Sequence, residues 1–363
     1  MFKVKPRIII GSSSIFLDAL RICAALTVLY IHAFDHWFPK LAHPQSEPGE
    51  PSHTAVIVFF VLSGYVIAHT TISKNRGGIQ YAQARLSRLC SVVIPVLVMT
   101  ALIQVALIYI DPVLLATYSR GPSIVRYILS GLFINEIWFF SAGPPINGSL
   151  WSLSYEFWYY AIFGFWMFKS NSWRGYILPL AACLIAGPKI LLLMPVWLCG
   201  YAAYSLPRPP ITKFFSWLLV IAGILAAWAA VSNLPSIPYK LYHKPLFFSN
   251  QFITDWVTGL FIAFMLWILP TGNEQSIEPE WTALFRKIAD LTFPLYVLHF
   301  PLLVLWRGMF GFKLNSQLEM WQAIIFAIFI SAITGILLER QRELWIRFFK
   351  WLLNYKVLKK TNQ

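Results

Sequence analysis

About ten apolar runs, at 15–34, 54–71, 91–110, 149–168, 175–187, 190–206, 213–232, 252–270, 290–310 and 321–338, constrain this chain more than any other feature. A helix needs about 20 mostly apolar residues to cross a bilayer core. Lipid offers no partner to a bare peptide group, so a run of this kind must satisfy its backbone as helix. The expected fold is therefore all-α, a polytopic membrane helix bundle of about ten transmembrane helices. Composition agrees: 58% of the residues are hydrophobic and only 12% charged, where soluble domains carry roughly 25% charge. The fifth and sixth runs are short and meet at Gly187-Pro188, which suggests half-depth or tilted segments. The stretch 124–140 carries Arg126, Asn135 and Glu136 and reads as an interfacial or re-entrant piece.

The formal net charge of +14 does not point to nucleic acid, because the basic residues alternate with the spans instead of lining one face. The N-tail, alternate loops and C-tail hold about 20 of the 29 Lys and Arg residues, against about 7 in the opposite loops. That asymmetry predicts a multi-pass protein with both termini in the cytoplasm. No small-residue cleavage site follows the first run, so it is expected to remain as a span. Residues 1–340 form the expected membrane-embedded domain. Residues 341–363 form a basic amphipathic tail suited to the cytoplasmic lipid surface. Cys23, Cys90, Cys183 and Cys199 form no ligand-spaced set and are expected to be packing residues, with no metal required.

Ionisable residues inside spans are costly and usually mark function. The first run holds Asp18, Arg21 and His32. At 100° per residue, the step from Arg21 to His32 returns to within about 20° of one face and covers roughly 16 Å. Asp18 joins that stripe at i, i+3. The bland alternative is an Asp18–Arg21 pair that ties the helix to a neighbour. Arg85 and Arg88, in the loop entering the third run, place two guanidinium forks on one face of a turn; forks match phosphate oxygens, although positive-inside charge alone also explains them. In NGSLWSLSYEFWYY, helical spacing sets Ser149, Ser152, Glu156 and Tyr159 or Tyr160 on one strip, with Trp151 beside it. Asn147 begins a glycosylation sequon, discounted at this boundary. Ser63-Gly64 in the second run permits close helix approach or backbone contact with a ligand. His299 lies between Pro294 and Pro301, where a kink frees carbonyls; a packed histidine bonded to a carbonyl is an equal alternative.

These motifs, in order, resemble the acyltransferase-3 family of integral membrane acyltransferases: LDALRICAALTVLYIHAF, FFVLSGYVIA, RLSR, NGSLWSLSYEFWYY, FPLYVLHFPLL and the terminal LLER. They extend from residue 17 to residue 340. The resemblance implies that Arg21 and His32 are the family's arginine–histidine pair, with His32 essential for catalysis. Arg85 and Arg88 would be its R-x-x-R for acyl-CoA, and Glu156 its helix-4 glutamate. Asp18, Ser63-Gly64, His299 and Glu339 would support them. Where the family often has a proline soon after R-x-x-R, this chain has Cys90-Ser91, and the nearest proline is Pro95.

The expected activity is transfer of an acyl group, acetyl from acetyl-CoA or another acyl-CoA, onto a hydroxyl of a surface carbohydrate or lipid-linked glycan. Arg85, Arg88 and Ser63 would serve the donor, while Trp151, Ser152 and His299 would line the acceptor. His32, Glu156, Arg21 and Asp18 would form the catalytic group, with His32 acting as base or as an acylated relay. The expected partners are acyl-CoA, the carbohydrate acceptor, the bilayer and, if the acyl group is passed on, a separate acyl-accepting protein. Oligomeric state is not readable. The rival class is a transporter or flippase of a lipid-linked sugar, since intramembrane His, Glu and Arg also suit proton relays.

Overall fold

The computed structural model describes residues 7, 9, 11–41, 50–73, 77–238, 246–271 and 279–361, with side chains as far as residue 353. Lys3 and Lys5 of the basic N-tail, and the side chains of the last tail lysines, lie outside the described residues. Among the described residues the chain is helical, with one isolated bridge between Ile9 and Thr271 and no strand. The helices are α1 (Gly11–Trp37), α2 (Pro51–Ser73), α3 (Gly78–Ile110), α4 (Pro112–Tyr118), α5 (Ser123–Gly131), α6 (Trp151–Met167), α7 (Ile177–Ala186) and α8 (Pro188–Ser205). They continue with α9 (Lys213–Asn233), α10 (Phe252–Ile268), α11 (Pro279–Asp290), α12 (Thr292–Phe310) and α13 (Gln317–Thr361). This is an all-α polytopic membrane protein.

Among the described residues, six segments are long and apolar enough to cross a bilayer: α1, α2, α3, α9, the stretch through α12 and α13. The segment containing α7 and α8 adds a seventh if it is counted as one span. About ten were expected. The difference lies in helices that end early: α6 and α10 are 17 residues each, and α7 and α8 are bent by 117°. Gly187 makes that bend. Its φ is +80°, and a Cβ there would stand 2.6 Å from the backbone of Trp138, whose N–H donates to Ala186 O. The stretch 124–140 is the nine-residue α5 followed by turns, too short to span at 1.5 Å per residue.

Two sequence expectations change. Arg85 and Arg88 are not in a loop: α3 starts at Gly78, because Tyr81, Arg85, Leu89, Val93 and Val96 keep one buried stripe at helical spacing ahead of the apolar run. α13 runs 45 residues and continues through the start of the basic tail without a break at 340. Cys23 is exposed instead of packed.

The chain divides into two compact units. The first comprises residues 1–75 and 188–292. Its centre is α2, which packs on α1, α8 and α10. A Cβ on Gly64 would fall 2.0 Å from Trp197 O, and one on Gly200 1.9 Å from Val61 O. The small residue at 64 thus serves close helix approach, the packing device available where no hydrophobic force separates helix from lipid. On α9 the buried positions are Ser216, Val220, Gly223 and Ala230, one narrow stripe, so the rest of its apolar surface faces outward. The second unit comprises residues 76–187 and 293–363. There α3 packs on α13 and α6, and α6 packs on α7.

Candidate active site

The residues singled out in the sequence fall into two groups, one in each unit. In the first unit, α1 carries Asp18, Arg21 and His32. Asp18 is buried and accepts from Arg286 Nε of α11 at 2.9 Å; Arg21 Nη1 approaches it at 3.7 Å. Arg286 Nη2 also donates to Ser14 Oγ at 2.8 Å. Asp18 therefore serves first to fasten α1 to α11, with Arg21 as the weaker contact. His32, three turns further on, is half-buried. Beside it, a cleft of about 140 Å³ is lined by Tyr30, Ile31, Phe34, Asp35, Glu50 and Pro51. His32 is not among the residues that line it, and its volume is well below the roughly 300–1,000 Å³ typical of a cofactor pocket.

Near the start of α2 the structure shows a pair that the sequence reading missed. His53 Nε2 lies 3.0 Å from each carboxylate oxygen of Asp255 in α10, and Gln251 Nε2 donates to Oδ1 at 3.2 Å. Both partners are buried. Glu50, held by the Ser52 hydroxyl at 2.6 Å, acts electrostatically on both His32 and His53. The signal was present, since Asp255 is a carboxylate inside the run 252–270. Ser63 Oγ accepts from Trp197 Nε1 at 3.2 Å, at the same α2–α8 crossing that Gly64 permits.

In the second unit, α3 and α6 bring Arg85 and Glu156 into one network. The Arg85 guanidinium carbon lies 5.9 Å from the ring centres of both Tyr81 and Tyr160. Tyr160 in turn donates its hydroxyl to Glu156, and Tyr81 donates to Tyr160 O at 3.1 Å. Of the two aromatic candidates on the α6 strip, Tyr160 is therefore the one that meets Glu156. Arg85 is buried and Arg88 half-buried, so Arg88 is the more accessible fork.

One turn before Glu156, Ser152 Oγ is 2.8 Å from Tyr296 Oη of α12, and Tyr296 also donates to Ser149 O at 3.2 Å. His299 has no exposure. Its Nδ1 is 3.3 Å from Leu295 O and its Nε2 is 3.4 Å from Ser149 Oγ. A carbonyl can only accept, so Nδ1 carries the proton and Nε2 accepts from the serine. This is the carbonyl-bonded arrangement. Pro301 has no N–H for Val297 O four residues back; Asn147 Nδ2 supplies the missing donor at 2.9 Å and also reaches Thr100 Oγ1 at 3.2 Å. Trp151 is buried against Tyr155. Tyr296 was thus missed and Asn147 set aside in the sequence, although the kink that frees Val297 O was legible.

The acyltransferase-3 family model, described as an acyltransferase domain, matches residues 14–340. The chain belongs to the acyltransferase-3 family. It is accordingly a multi-pass membrane acyltransferase. No curated protein and no solved structure gives a match. Among the described residues, no three His, Cys, Asp or Glu side chains are grouped to hold a metal ion.

Proposed function

We propose that this acyltransferase moves an acetyl group, or another acyl group, from its coenzyme A thioester onto a hydroxyl of a surface carbohydrate or lipid-linked glycan. The family match over residues 14–340 carries the acyl-transfer reading. Accessible Arg88 suits a donor phosphate, and Arg85, clamped by two tyrosines, suits a positioning role. Ser63 remains a donor-side candidate through its place at the α2–α8 crossing.

A thioester is already activated, so the protein must supply a base, an oriented acceptor and support for the oxyanion. In the direct route, His32 takes the proton of the acceptor hydroxyl as its oxygen attacks the thioester carbonyl. The C–S bond breaks, and the departing thiolate takes that proton back from the imidazolium. In the relay route, His32 attacks first, releases the thiol and passes the acyl group to the acceptor. Glu156 offers a carboxylate to an acceptor hydroxyl, with Ser152 and Trp151 one turn away on the same helix. His299 supports them by fixing Ser149. Arg21 and Asp18 position α1. No step requires a metal. If a separate protein receives the acyl group, it would accept it after His32 in the relay route.

The basic asymmetry supports a bacterial cytoplasmic membrane location with both termini in the cytoplasm, where acyl-CoA is found. Mass spectrometry of surface glycans from matched cells with and without the gene tests the proposal. An acyl mass increment that disappears with the gene identifies group and acceptor together. Identical spectra, with the protein inserted and abundant, would sink the carbohydrate assignment.

A further inference from the structure

Where α2 and α8 end, the first unit brings the guanidinium groups of Arg7 and Arg208 into one neighbourhood, with no carboxylate paired to either among the described residues. Arg7 donates from Nη1 to Trp267 O at 3.2 Å and from Nη2 to Leu206 O, and its guanidinium stands 5.7 Å from the centre of the Tyr204 ring. Arg208 uses only Nη2, toward Ser216 Oγ at 2.5 Å and Ile268 O at 3.5 Å. Its Nε is buried and has no partner among the described residues, and neither has the buried Ser205 Oγ three residues earlier. The Tyr204 hydroxyl gathers the rest of the cluster: Arg7 N–H at 3.0 Å, with His69 Nδ1 and Ser73 Oγ each at 3.2 Å.

Among the described residues, neither arginine has a carboxylate within ion-pair distance. The carbonyls they meet close the C-terminal ends of α8 and α10, where a cation is favourable. Those ends carry only partial charge and leave the buried Arg208 Nε–H without a partner among the described residues. Burial and the neighbouring Arg7 both weigh against the Arg208 charge. Two cations, a buried guanidinium N–H and a buried serine hydroxyl left over, and further hydroxyls beside them are the chemistry that receives a tetrahedral anion.

We propose that Arg7 and Arg208, with the hydroxyls of Ser205 and Ser73, form a binding site for a phosphate group, distinct from Arg85 and Arg88. The phosphate belongs either to the coenzyme A moiety of the donor or to an anionic lipid head group. The inference rests on the acyl-CoA reading only for the choice between those two sources.

The test uses the full-length protein in nanodiscs, with Arg7→Gln, Arg208→Gln and the charge-keeping Arg208→Lys. Coenzyme A and inorganic pyrophosphate are titrated calorimetrically, and native mass spectrometry counts retained phosphatidylglycerol against phosphatidylcholine. Either Gln change should weaken one phosphate probe by at least about tenfold, and the Lys change by much less. A coenzyme A effect identifies the donor as the source; a phosphatidylglycerol effect alone identifies lipid. Unchanged binding of both, at an unchanged melting temperature, would show that the arginines only close helix ends and would overturn the proposal. If the Gln variants do not fold, the parental protein decides: no melting shift with pyrophosphate or coenzyme A and no retained phosphatidylglycerol overturns it equally. Acetyl-pantetheine, which has no phosphate, separates the two readings. Failure of the parental protein to use either it or acetyl-CoA defeats the donor assignment and leaves the phosphate site to the binding measurements.

Discussion

In the unit built on α1 and α2, the buried carboxylates are held in ion pairs, whereas in the unit built on α3 and α6 buried polarity is carried mainly by hydroxyls, an amide and an imidazole. Asp18 meets Arg286 and Arg21, and Asp255 meets His53. On the other side, Ser152, Tyr296, Ser149, His299 and Asn147 exchange neutral hydrogen bonds, and Glu156, the carboxylate of that strip, is held by Tyr160. The cause is the low-dielectric surroundings. A full charge there needs a counter-charge wherever the chain can bring one, while a hydroxyl is satisfied by any nearby carbonyl or hydroxyl. Removing one partner should therefore cost more in the first unit than in the second.

His32 is the sharpest way to break that pattern, because it belongs to the charged unit yet is assigned to chemistry. His32→Ala should lower acyl transfer by about 10³-fold while the melting temperature and coenzyme A binding stay at parental values. A variant that transfers at the parental rate removes His32 from the mechanism. Asp255→Ala should do the reverse and take stability first. It leaves His53 buried without its carboxylate, at a cost of about 3 kcal/mol, read by thermal or denaturant unfolding in detergent. Asp255→Asn, which retains an acceptor, should lose less. Equal stability of Asp255→Ala and the parental protein would show that the pair is not what holds α2 to α10.

The same contrast decides what could be read from the sequence. The strip Ser149, Ser152, Glu156 and Tyr160 was legible because helical spacing alone sets those residues on one face. The R-x-x-R was legible as residues but was set in a loop, since its polar neighbours hide the buried stripe that carries α3 back to Gly78. The long-range ion pairs were not legible. Asp18 and Arg286 are 268 residues apart and His53 and Asp255 are 202 apart, and no local rule links them. Sequence reading offered Asp18 the nearer arginine, at i+3; the structure keeps that contact at 3.7 Å and adds the distant Arg286 at 2.9 Å. The span count fell short for a related reason: hydropathy marks apolar runs, but Gly187 and the early ends of α6 and α10 decide how far each remains a straight helix.

Asn147→Ala should cost about 1–2 kcal/mol, because Val297 O loses the donor that replaces the one missing at Pro301. The double variant Asn147→Ala with Pro301→Ala sharpens this. With a backbone N–H restored at 301, the Asn147 change should cost less than it does alone, and the coupling is read from a double-mutant cycle of melting curves. Strict additivity would mean that Asn147 acts through Thr100 instead.

The smallest effect separates the two arginines around Asp18. Arg286→Ala should lower stability by about 1 kcal/mol, because its contact is direct although half its side chain is exposed. Arg21→Ala, at 3.7 Å, should lower it by about 0.5 kcal/mol or less. The activities should run in the opposite order if Arg21 serves the donor: its loss would raise KM for acetyl-CoA while Arg286→Ala leaves KM unchanged. An Arg21→Ala protein with parental KM and kcat would confine Arg21 to its place beside Asp18. The stripe on α1 would then hold one chemical residue, His32, and two that keep the helix in register.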